Sequence, residues 1–70
     1  MNIDNLGKNI KRIREKREIK QEELARAIGI KRENISLYES GKTKPTLKTI
    51  IKIANYLDTT IDYLLSDTND

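Results

Sequence analysis

The chain has 70 residues, which is enough for one domain, and it contains neither cysteine nor histidine. This composition excludes disulfides, thiolate or imidazole metal sites, and acid–base catalysis by histidine. No apolar run approaches the roughly 20 residues that span a bilayer, and the first residues lack the layout of a signal peptide. We expect a cytoplasmic binding protein that is not an enzyme, with no cofactor, metal, membrane contact or small-molecule effector.

Charge is distributed unevenly along the chain, whose net charge is +3. Residues 1–57 carry all 14 lysine and arginine residues and 7 acidic ones, whereas residues 58–70 carry 4 aspartates and no base. A basic body with a short acidic end is typical of proteins that bind a polyanion, nucleic acid first, although a merely solvated lysine-rich surface is the alternative. Because phenylalanine and tryptophan are absent, the chain has no platform for stacking several bases, which argues against binding of single-stranded nucleic acid.

The first three helices are indicated by apolar residues at helical spacing and by two glycines. The first helix is predicted at about residues 4–17, the second at Gln21–Ile28 and the third at about 31–40. Gly29 and Gly41 follow the second and third helices, where each can supply the left-handed residue that ends many helices.

A fourth and a fifth helix are predicted after Thr46 and Thr60, which are placed to cap them. The fourth helix is expected to bury one side, formed by Leu47, Ile50, Ile51, Ala54 and Leu57. The fifth is short and carries Ile61, Leu64 and Leu65. The predicted fold class is all-α, a compact bundle of five short helices with a core almost wholly of isoleucine and leucine. Residues 1–66 form the domain, and residues 67–70 form a polar, acidic and frayed end.

Residues 21–40 predict two short helices hinged at one glycine. A helix-turn-helix needs a small residue where its helices cross and a turn residue that tolerates positive φ, and Ala25 and Gly29 stand at these places. Ile35 and Tyr38, three residues apart, are expected to anchor the second of these helices in the core. Helices 2 and 3 are therefore predicted to form a helix-turn-helix, with helix 3 of the diameter that the DNA major groove admits.

The order and spacing of several short sequence segments form one pattern: Gln21-Glu-Glu-Leu-Ala25, Gly29, Ile35 to Lys42, Pro45-Thr46-Leu47, Ile53-Ala54 and Ile61 to Leu65. Together they resemble the lambda-repressor-like family, which holds phage repressors, Cro proteins and xenobiotic-response-element-type regulators. The resemblance covers about Leu6 to Leu65. It implies a five-helix, helix-turn-helix DNA-binding domain at residues 1–66 that binds operator DNA, usually as a dimer and usually as a repressor.

The side of helix 3 that faces away from the core follows from the 100° between successive helical residues. That side and its leading edge carry the candidates for reading bases, which are Arg32, Glu33, Ser36 and Leu37. The resemblance implies base-reading positions at Arg32, Glu33 and Leu37, so the two routes agree.

These side chains have more than one interpretation. Arg32 either reads guanine or touches a phosphate. Glu33 accepts a hydrogen bond from cytosine N4, repels phosphate, or pairs with Arg32. Leu37 is expected to face solvent, where it either contacts a thymine methyl group or is one of the exposed leucines that are common on surfaces. Ser36 can donate to a base edge or to a phosphate.

The chain departs from the family pattern at Lys20 and Lys31, which replace the usual small hydroxyl caps of helices 2 and 3. Lysine cannot accept a bond from the free backbone N–H groups, which costs each helix roughly 0.5–2 kcal/mol of capping. Either phosphates complete these caps when DNA binds, or water is the acceptor. Asp58 stands where the family often has glycine after helix 4, which predicts a slightly strained junction.

Candidates for phosphate contacts surround helix 3. Gln21 resembles the family's phosphate-contacting glutamine, and Arg14 is assigned to the wet face of helix 1. The complete set is Arg14, Lys20, Gln21, Lys31, Ser40, Lys42 and Lys44. Phosphate contacts supply affinity and register but no sequence information.

Tyr56 and Tyr63 fall on the outer sides of helices 4 and 5 by the same helical angles. They are candidates for a dimer interface, where tyrosine is enriched, and solvated tyrosine is the alternative. We expect a homodimer that is weak without DNA and binds two half-sites of a pseudo-palindrome.

The second functional interpretation is a protein-interaction module of the same fold, such as an antitoxin or a subunit bound by an antirepressor. No second domain is evident, so we expect control by concentration, by a regulatory protein partner or by promoter layout.

Overall fold

This computed structural model describes residues 3–67 of the chain. They form five α-helices and a short 3₁₀ turn, joined by loops. The 3₁₀ turn is Ile3–Asn5, and the helices are α1 (Leu6–Lys16), α2 (Gln21–Ile28), α3 (Arg32–Ser40), α4 (Leu47–Tyr56) and α5 (Ile61–Leu64). Between residues 3 and 67 there is no strand, and no helix is long and apolar enough to cross a membrane. The predicted all-α bundle of five short helices is confirmed, although α1 starts later than expected, behind the 3₁₀ turn. Of the predicted frayed end, residues 68–70 lie outside the described residues.

The helix ends follow the local chemistry of the sequence. Gly29 and Gly41 adopt φ angles of 79° and 80°, so each supplies the left-handed residue expected after α2 and α3. The side chains of Thr46 and Thr60 accept hydrogen bonds from backbone N–H groups three residues later, at 3.3 and 3.0 Å. The helix boundaries predicted at these four residues are confirmed.

The core consists of isoleucine, leucine and alanine, as the composition predicts. Every α-helix contributes to its most deeply buried large side chains, which are Ile10, Leu24, Ile35, Ile53, Leu57 and Leu64. Both α1 and α2 pack against α3. The orientation of α3, and therefore the side that it presents to solvent, is fixed by contacts on two sides.

The buried side of α4 differs from the predicted one. Leu47 and Ile51 are 64% and 42% exposed, whereas Ile53 is fully buried. Apolar residues lie on two neighbouring flanks of this helix, and both flanks satisfy helical spacing. Packing of α4 against α2 and α5 decides between them. The prediction that Leu47 and Ile51 belong to the core is wrong.

Gly7 sets how closely α1 approaches α3. A Cβ atom at this position would collide with the backbone carbonyl oxygens of Tyr38 and Glu39. Only glycine lets the two backbones pack this closely. No spacing pattern in the sequence marks this residue.

Asn9 of α1 forms hydrogen bonds to the end of α5. Its buried amide nitrogen donates to the carbonyl oxygens of Leu64 at 2.7 Å and of Ser66 at 2.9 Å. These oxygens lie at the end of α5, whose four residues are too few to hold a helix by themselves. One side chain of α1 therefore stabilises the last helix.

Two residues other than glycine take left-handed backbone at junctions between helices. Asp58, after α4, has a φ of 55°, and Glu18, after α1, has a φ of 58°. This conformation costs an ordinary residue roughly 1–2 kcal/mol. The left-handed junction at Asp58, where the family often has glycine, agrees with the sequence prediction, and the one at Glu18 was not marked by the sequence.

Candidate nucleic-acid interface

The crossing of α2 and α3 has the predicted chemistry. After the left-handed Gly29, the N–H of Ile30 donates to the carbonyl oxygen of Ala25 at 3.0 Å and closes the turn. Ala25 is only 2% exposed, because its small side chain lies in the core where the two helices meet. Ile35 is fully buried and Tyr38 packs against the core, so the anchors of α3 are confirmed.

The starts of α2 and α3 lie side by side. Gln21 and Arg32 are the first residues of these helices, and Arg32 Nη1 donates to Gln21 Oε1 at 3.2 Å. The preceding residues, Lys20 and Lys31, are extended and exposed, and neither of these two lysines provides a side-chain cap. The two positive helix ends and Arg32 therefore lie close together, with Lys20 and Lys31 directly before the helices. This arrangement attracts anions, although the same first turns also carry Glu22, Glu23 and Glu33.

The candidate base-reading side chains differ in exposure. Arg32 and Glu33 are exposed at the first turn of α3, whereas Ser36 and Leu37 are half-buried. The backbone carbonyl oxygen of Leu37 accepts from the N–H of Lys42 at 3.1 Å, which brings the following loop against this part of the helix. Leu37 is less exposed than a residue that faces solvent freely, and it offers only part of its surface to a ligand.

Arg14 is not a surface cation. Its Nε donates to Glu39 Oε2 at 2.7 Å, its Nη2 to Glu39 Oε1 at 3.2 Å, and its Nη1 to the carbonyl oxygen of Ile19 at 2.7 Å. The Arg14 and Glu39 side chains are 9% and 3% exposed. A buried guanidinium requires such partners, because an unpaired buried charge is very costly. The prediction that Arg14 binds phosphate is wrong; it ties α1 to α3.

Gln21 connects this buried pair to the surface. Its Nε2 donates to Glu39 Oε1 at 2.9 Å, while its Oε1 accepts from Arg32. Glu39 is not among the site residues predicted from the sequence, although the helical angles contain a signal for it. At 100° per residue Glu39 falls about 40° from Ile35, near the buried side of the helix.

The loop between α3 and α4 presents two lysines to solvent. Lys42 and Lys44 are exposed, and Lys44 Nζ lies 3.9 Å from Asp4 Oδ1 in a pair whose two side chains are both mostly exposed. Such a pair contributes little stability and leaves the lysine available for another anion. Ser40 is exposed as well, and its hydroxyl donates to the carbonyl oxygen of Leu37 at 3.1 Å.

Tyr56 and Tyr63 are exposed, but their hydroxyl groups bind within the chain. The Tyr56 hydroxyl donates to Glu23 Oε2 at 3.0 Å, and this hydrogen bond raises the pKa of Tyr56. The Tyr63 hydroxyl accepts from Arg12 Nη2 at 3.1 Å, and the Arg12 guanidinium lies 5.9 Å from the centre of the Tyr63 ring. Their rings, rather than their hydroxyl groups, are available to a second subunit.

Comparisons with known proteins match this arrangement. The sequence model of the helix-turn-helix family covers residues 10–64. The HTH-type transcriptional regulator YqaE of Bacillus subtilis (strain 168) is 40% identical over 59 residues, which are 84% of this chain and 51% of YqaE. The cryptic phage CTXphi transcriptional repressor RstR of Vibrio cholerae is 36% identical over 58 residues, which are 83% of this chain and 52% of RstR. The chain thus spans about half the length of these two curated relatives.

Similarity extends to solved structures. The crystal structure of the P22 c2 repressor in complex with a synthetic operator has a TM-score of 0.82 and 30% sequence identity to this chain. The match covers 87% of this chain and 92% of the repressor chain. The predicted resemblance to phage repressors is confirmed.

Proposed function

This chain belongs to the helix-turn-helix family, and from this premise we propose that it is a sequence-specific transcriptional regulator that binds double-stranded DNA through α3. The observation that carries the proposal is the junction of the α2 and α3 starts. There, two helix starts without side-chain caps are joined by the hydrogen bond from Arg32 to Gln21 and are preceded by the exposed Lys20 and Lys31. The proposed role is binding, not catalysis, and its compartment is the cytoplasm.

In the proposed complex α3 lies in the major groove. Arg32 donates to the N7 and O6 acceptors of guanine, and Glu33 accepts from cytosine N4 or excludes wrong registers by repelling phosphate. Ser36 reaches a base edge, and the accessible part of Leu37 contacts a thymine methyl group. Because α3 is fixed by α1 and α2, these side chains meet base edges in a defined order.

Phosphates on both sides of the groove complete the complex. The backbone N–H groups at the starts of α2 and α3 bind them together with Lys20, Lys31 and Gln21. Lys42 and Lys44, in the loop after α3, bind the next stretch of DNA backbone. Ser40, at the end of α3, joins them when its hydroxyl turns from the carbonyl oxygen of Leu37 to a phosphate oxygen. These contacts give affinity and register, while the sequence is read by α3.

The regulator acts as a repressor and as a homodimer in this proposal. RstR is named a transcriptional repressor, and the P22 c2 repressor is bound to an operator in its crystal structure. Two subunits would bind the half-sites of a pseudo-palindrome, with the rings of Tyr56 and Tyr63 at the subunit contact.

One observation favours a second role, as a subunit bound by a regulatory protein or as an antitoxin. Leu47 and Ile51, one helical turn apart, form an exposed aliphatic pair on one side of α4. Such residues suit a contact with another protein. Binding of a partner protein that Leu47→Lys abolishes, with DNA binding retained, would support this role.

Selection of duplexes from a random pool tests the main proposal. We expect a recurrent sequence to be enriched, and its affinity to fall with salt at a log–log slope of roughly −2 to −4 per subunit, given the four candidate lysines. Lys44→Ala should weaken all duplexes about equally and flatten the slope by about 1. A pool without enrichment, or an affinity that does not depend on salt, would overturn the proposal.

A further inference from the structure

We propose that Asp4 competes with DNA phosphate for Lys44 and thereby lowers the affinity of the protein for every duplex. Lys44 belongs to the loop after α3, and its Nζ lies 3.9 Å from Asp4 Oδ1. The inference rests on the proposed function, because it requires that Lys44 binds a phosphate. It assigns to one acidic residue the opposite effect to that of the basic residues around α3.

The packing of α1 places Asp4 beside this loop. Asp4 belongs to the 3₁₀ turn that directly precedes α1 and packs against it. Gly7, in the first turn of α1, lies so close to α3 that a Cβ atom there would collide with the backbone carbonyl oxygen of Tyr38. The start of α1 is therefore held near the end of α3, where the loop with Lys44 begins.

A small hollow of about 180 Å³ lies between the 3₁₀ turn and the loop. Asp4 and Lys44 are among its lining residues, together with the half-buried Tyr38 and the buried Pro45. Proline restricts the residue before it to extended backbone, which limits the positions open to Lys44. The backbone on both sides of the hollow thus keeps the carboxylate and the ammonium group within reach of each other.

The exposure of the pair makes it an exchangeable contact. The side chain of Asp4 is 77% exposed and that of Lys44 is 61% exposed. Since an exposed ion pair is weak, another anion can replace the carboxylate. A phosphate that approaches Lys44 has to displace Asp4 and is also repelled by its charge. Both effects oppose binding equally on every sequence, because they involve only the DNA backbone.

Asp4→Asn tests the competition, because asparagine keeps the size of the side chain and its suitability for a turn while it removes the charge. Binding is measured to the selected duplex and to unrelated duplexes over a range of salt concentrations. We expect Asp4→Asn to bind all of them about two- to fivefold more tightly at low salt. The gain should shrink as salt screens the charges, so the affinity of the variant should fall more steeply with salt.

Asp67→Asn is the matched control, since it removes the same charge from an exposed aspartate after α5. It raises the net charge by the same amount and should change affinity much less than Asp4→Asn. In the Lys44→Ala background, the gain from Asp4→Asn should largely disappear. Equal gains in both aspartate variants, no gain in Asp4→Asn, or a gain that persists without Lys44 would overturn the inference while the proposed function stands.

Urea unfolding of Asp4→Asn shows whether the fold is intact, and little change is expected from the loss of an exposed pair. Asp4→Ser, which also has a short polar side chain without charge, gives the same test if Asp4→Asn fails to fold.

The free protein provides a readout that needs no DNA. In nuclear magnetic resonance spectra of the lysine ε-methylene groups, Asp4→Asn should shift the signals of Lys44 and leave those of Lys42 in place. Unchanged Lys44 signals would overturn the pairing, whereas a parent protein that selects no duplex would instead overturn the proposed function.

Discussion

The helix pairs α2–α3 and α4–α5 both have a left-handed residue at their junction, but they differ in the chemistry of their helix ends. The turn between α2 and α3 uses Gly29 in a left-handed conformation, and the junction between α4 and α5 uses Asp58 in the same conformation. Thr46 and Thr60 cap α4 and α5 with their side chains, whereas α2 and α3 begin after lysines that cap nothing. Backbone N–H groups thus remain open for anions at the starts of α2 and α3, the surface proposed to bind DNA.

The two pairs are also anchored to α1 by different groups. An ion pair between Arg14 and Glu39 holds α3, and the neutral amide of Asn9 holds the end of α5. The pair that is proposed to read DNA therefore depends on a buried charge, and the pair proposed to hold the dimer together does not. Each of these differences predicts that substitutions in the two helix pairs have measurably different effects.

The largest effect is expected when the anchors are removed. Glu39→Ala leaves the Arg14 guanidinium buried without its carboxylate and should lower the free energy of unfolding by roughly 3–5 kcal/mol. Asn9→Ala leaves carbonyl oxygens without a donor and should cost about 1–3 kcal/mol. Urea unfolding measures both, and Glu15→Ala, which removes an exposed carboxylate near Arg14, is the control with little effect. Equal losses for Glu39→Ala and Asn9→Ala would contradict the distinction between the anchors.

Substitutions at the two left-handed junction residues, Gly29 and Asp58, should change the free energy of unfolding in opposite directions. Gly29→Ala meets no atom within 4 Å, so its cost is backbone strain alone, about 1–2 kcal/mol. Asp58→Gly relieves strain that is already present and should raise the free energy of unfolding by a few tenths to about 1 kcal/mol, because the greater freedom of glycine in the unfolded chain offsets part of the gain. Thermal or urea unfolding decides, and a loss of stability in both variants would show that the Asp58 backbone is not strained.

Substitutions at the helix-cap positions should change the stability of the protein and its affinity for DNA independently of each other. Lys31→Ser provides a side-chain acceptor and should stabilise the protein by about 0.5–1 kcal/mol, yet weaken binding to DNA because it closes the anion site and removes a charge. Thr60→Ala should destabilise it by about 0.5–2 kcal/mol and leave binding to a single half-site unchanged. Unfolding curves and half-site titrations test both. If Lys31→Ser strengthens DNA binding, the uncapped helix start is no phosphate site.

Local chemistry explains why the helix boundaries and the helix-turn-helix could be predicted from the sequence. Gly29, Gly41, Thr46 and Thr60 act within a few residues of their own position, so a pattern of neighbours is sufficient to recognise them. Ala25 and the anchors of α3 also belong to one short stretch. The outward side of α3 followed from these anchors, and the structure agrees for Arg32 and Glu33.

Contacts between distant residues explain what could not be predicted. Arg14 and Glu39 are 25 positions apart, and no local rule shows that an arginine beside other charged residues on α1 is buried against a carboxylate of α3. The choice between the two apolar flanks of α4 likewise depends on packing against other helices, which placed Ile53 inside and Leu47 outside. The same limit applies to Leu37, whose surroundings depend on the loop that follows it.

The smallest expected effect on stability comes from a hydrogen bond between the two helix pairs. Its donor is the Tyr56 hydroxyl of α4, and its acceptor is the Glu23 carboxylate of α2. This hydrogen bond raises the pKa of the Tyr56 hydroxyl above its usual value near 10, because the neighbouring carboxylate favours the protonated phenol. A group with a raised pKa in the folded state contributes its full stabilisation below the unfolded-state pKa and loses it as pH rises through the folded pKa. The difference in stability between the parent and Tyr56→Phe should therefore be constant up to about pH 10 and shrink above it.

Ultraviolet titration of the phenolate, taken as the difference between the parent and Tyr56→Phe, measures this pKa directly. Glu23→Gln should lower the pKa toward the ordinary value, since the charge and the acceptor that favour the phenol are weakened. Because the bond lies within one chain, the raised pKa should not change with protein concentration. A pKa that rises as subunits associate would instead place the Tyr56 hydroxyl in the dimer contact, and the two helix pairs would then not be joined by this bond in the monomer.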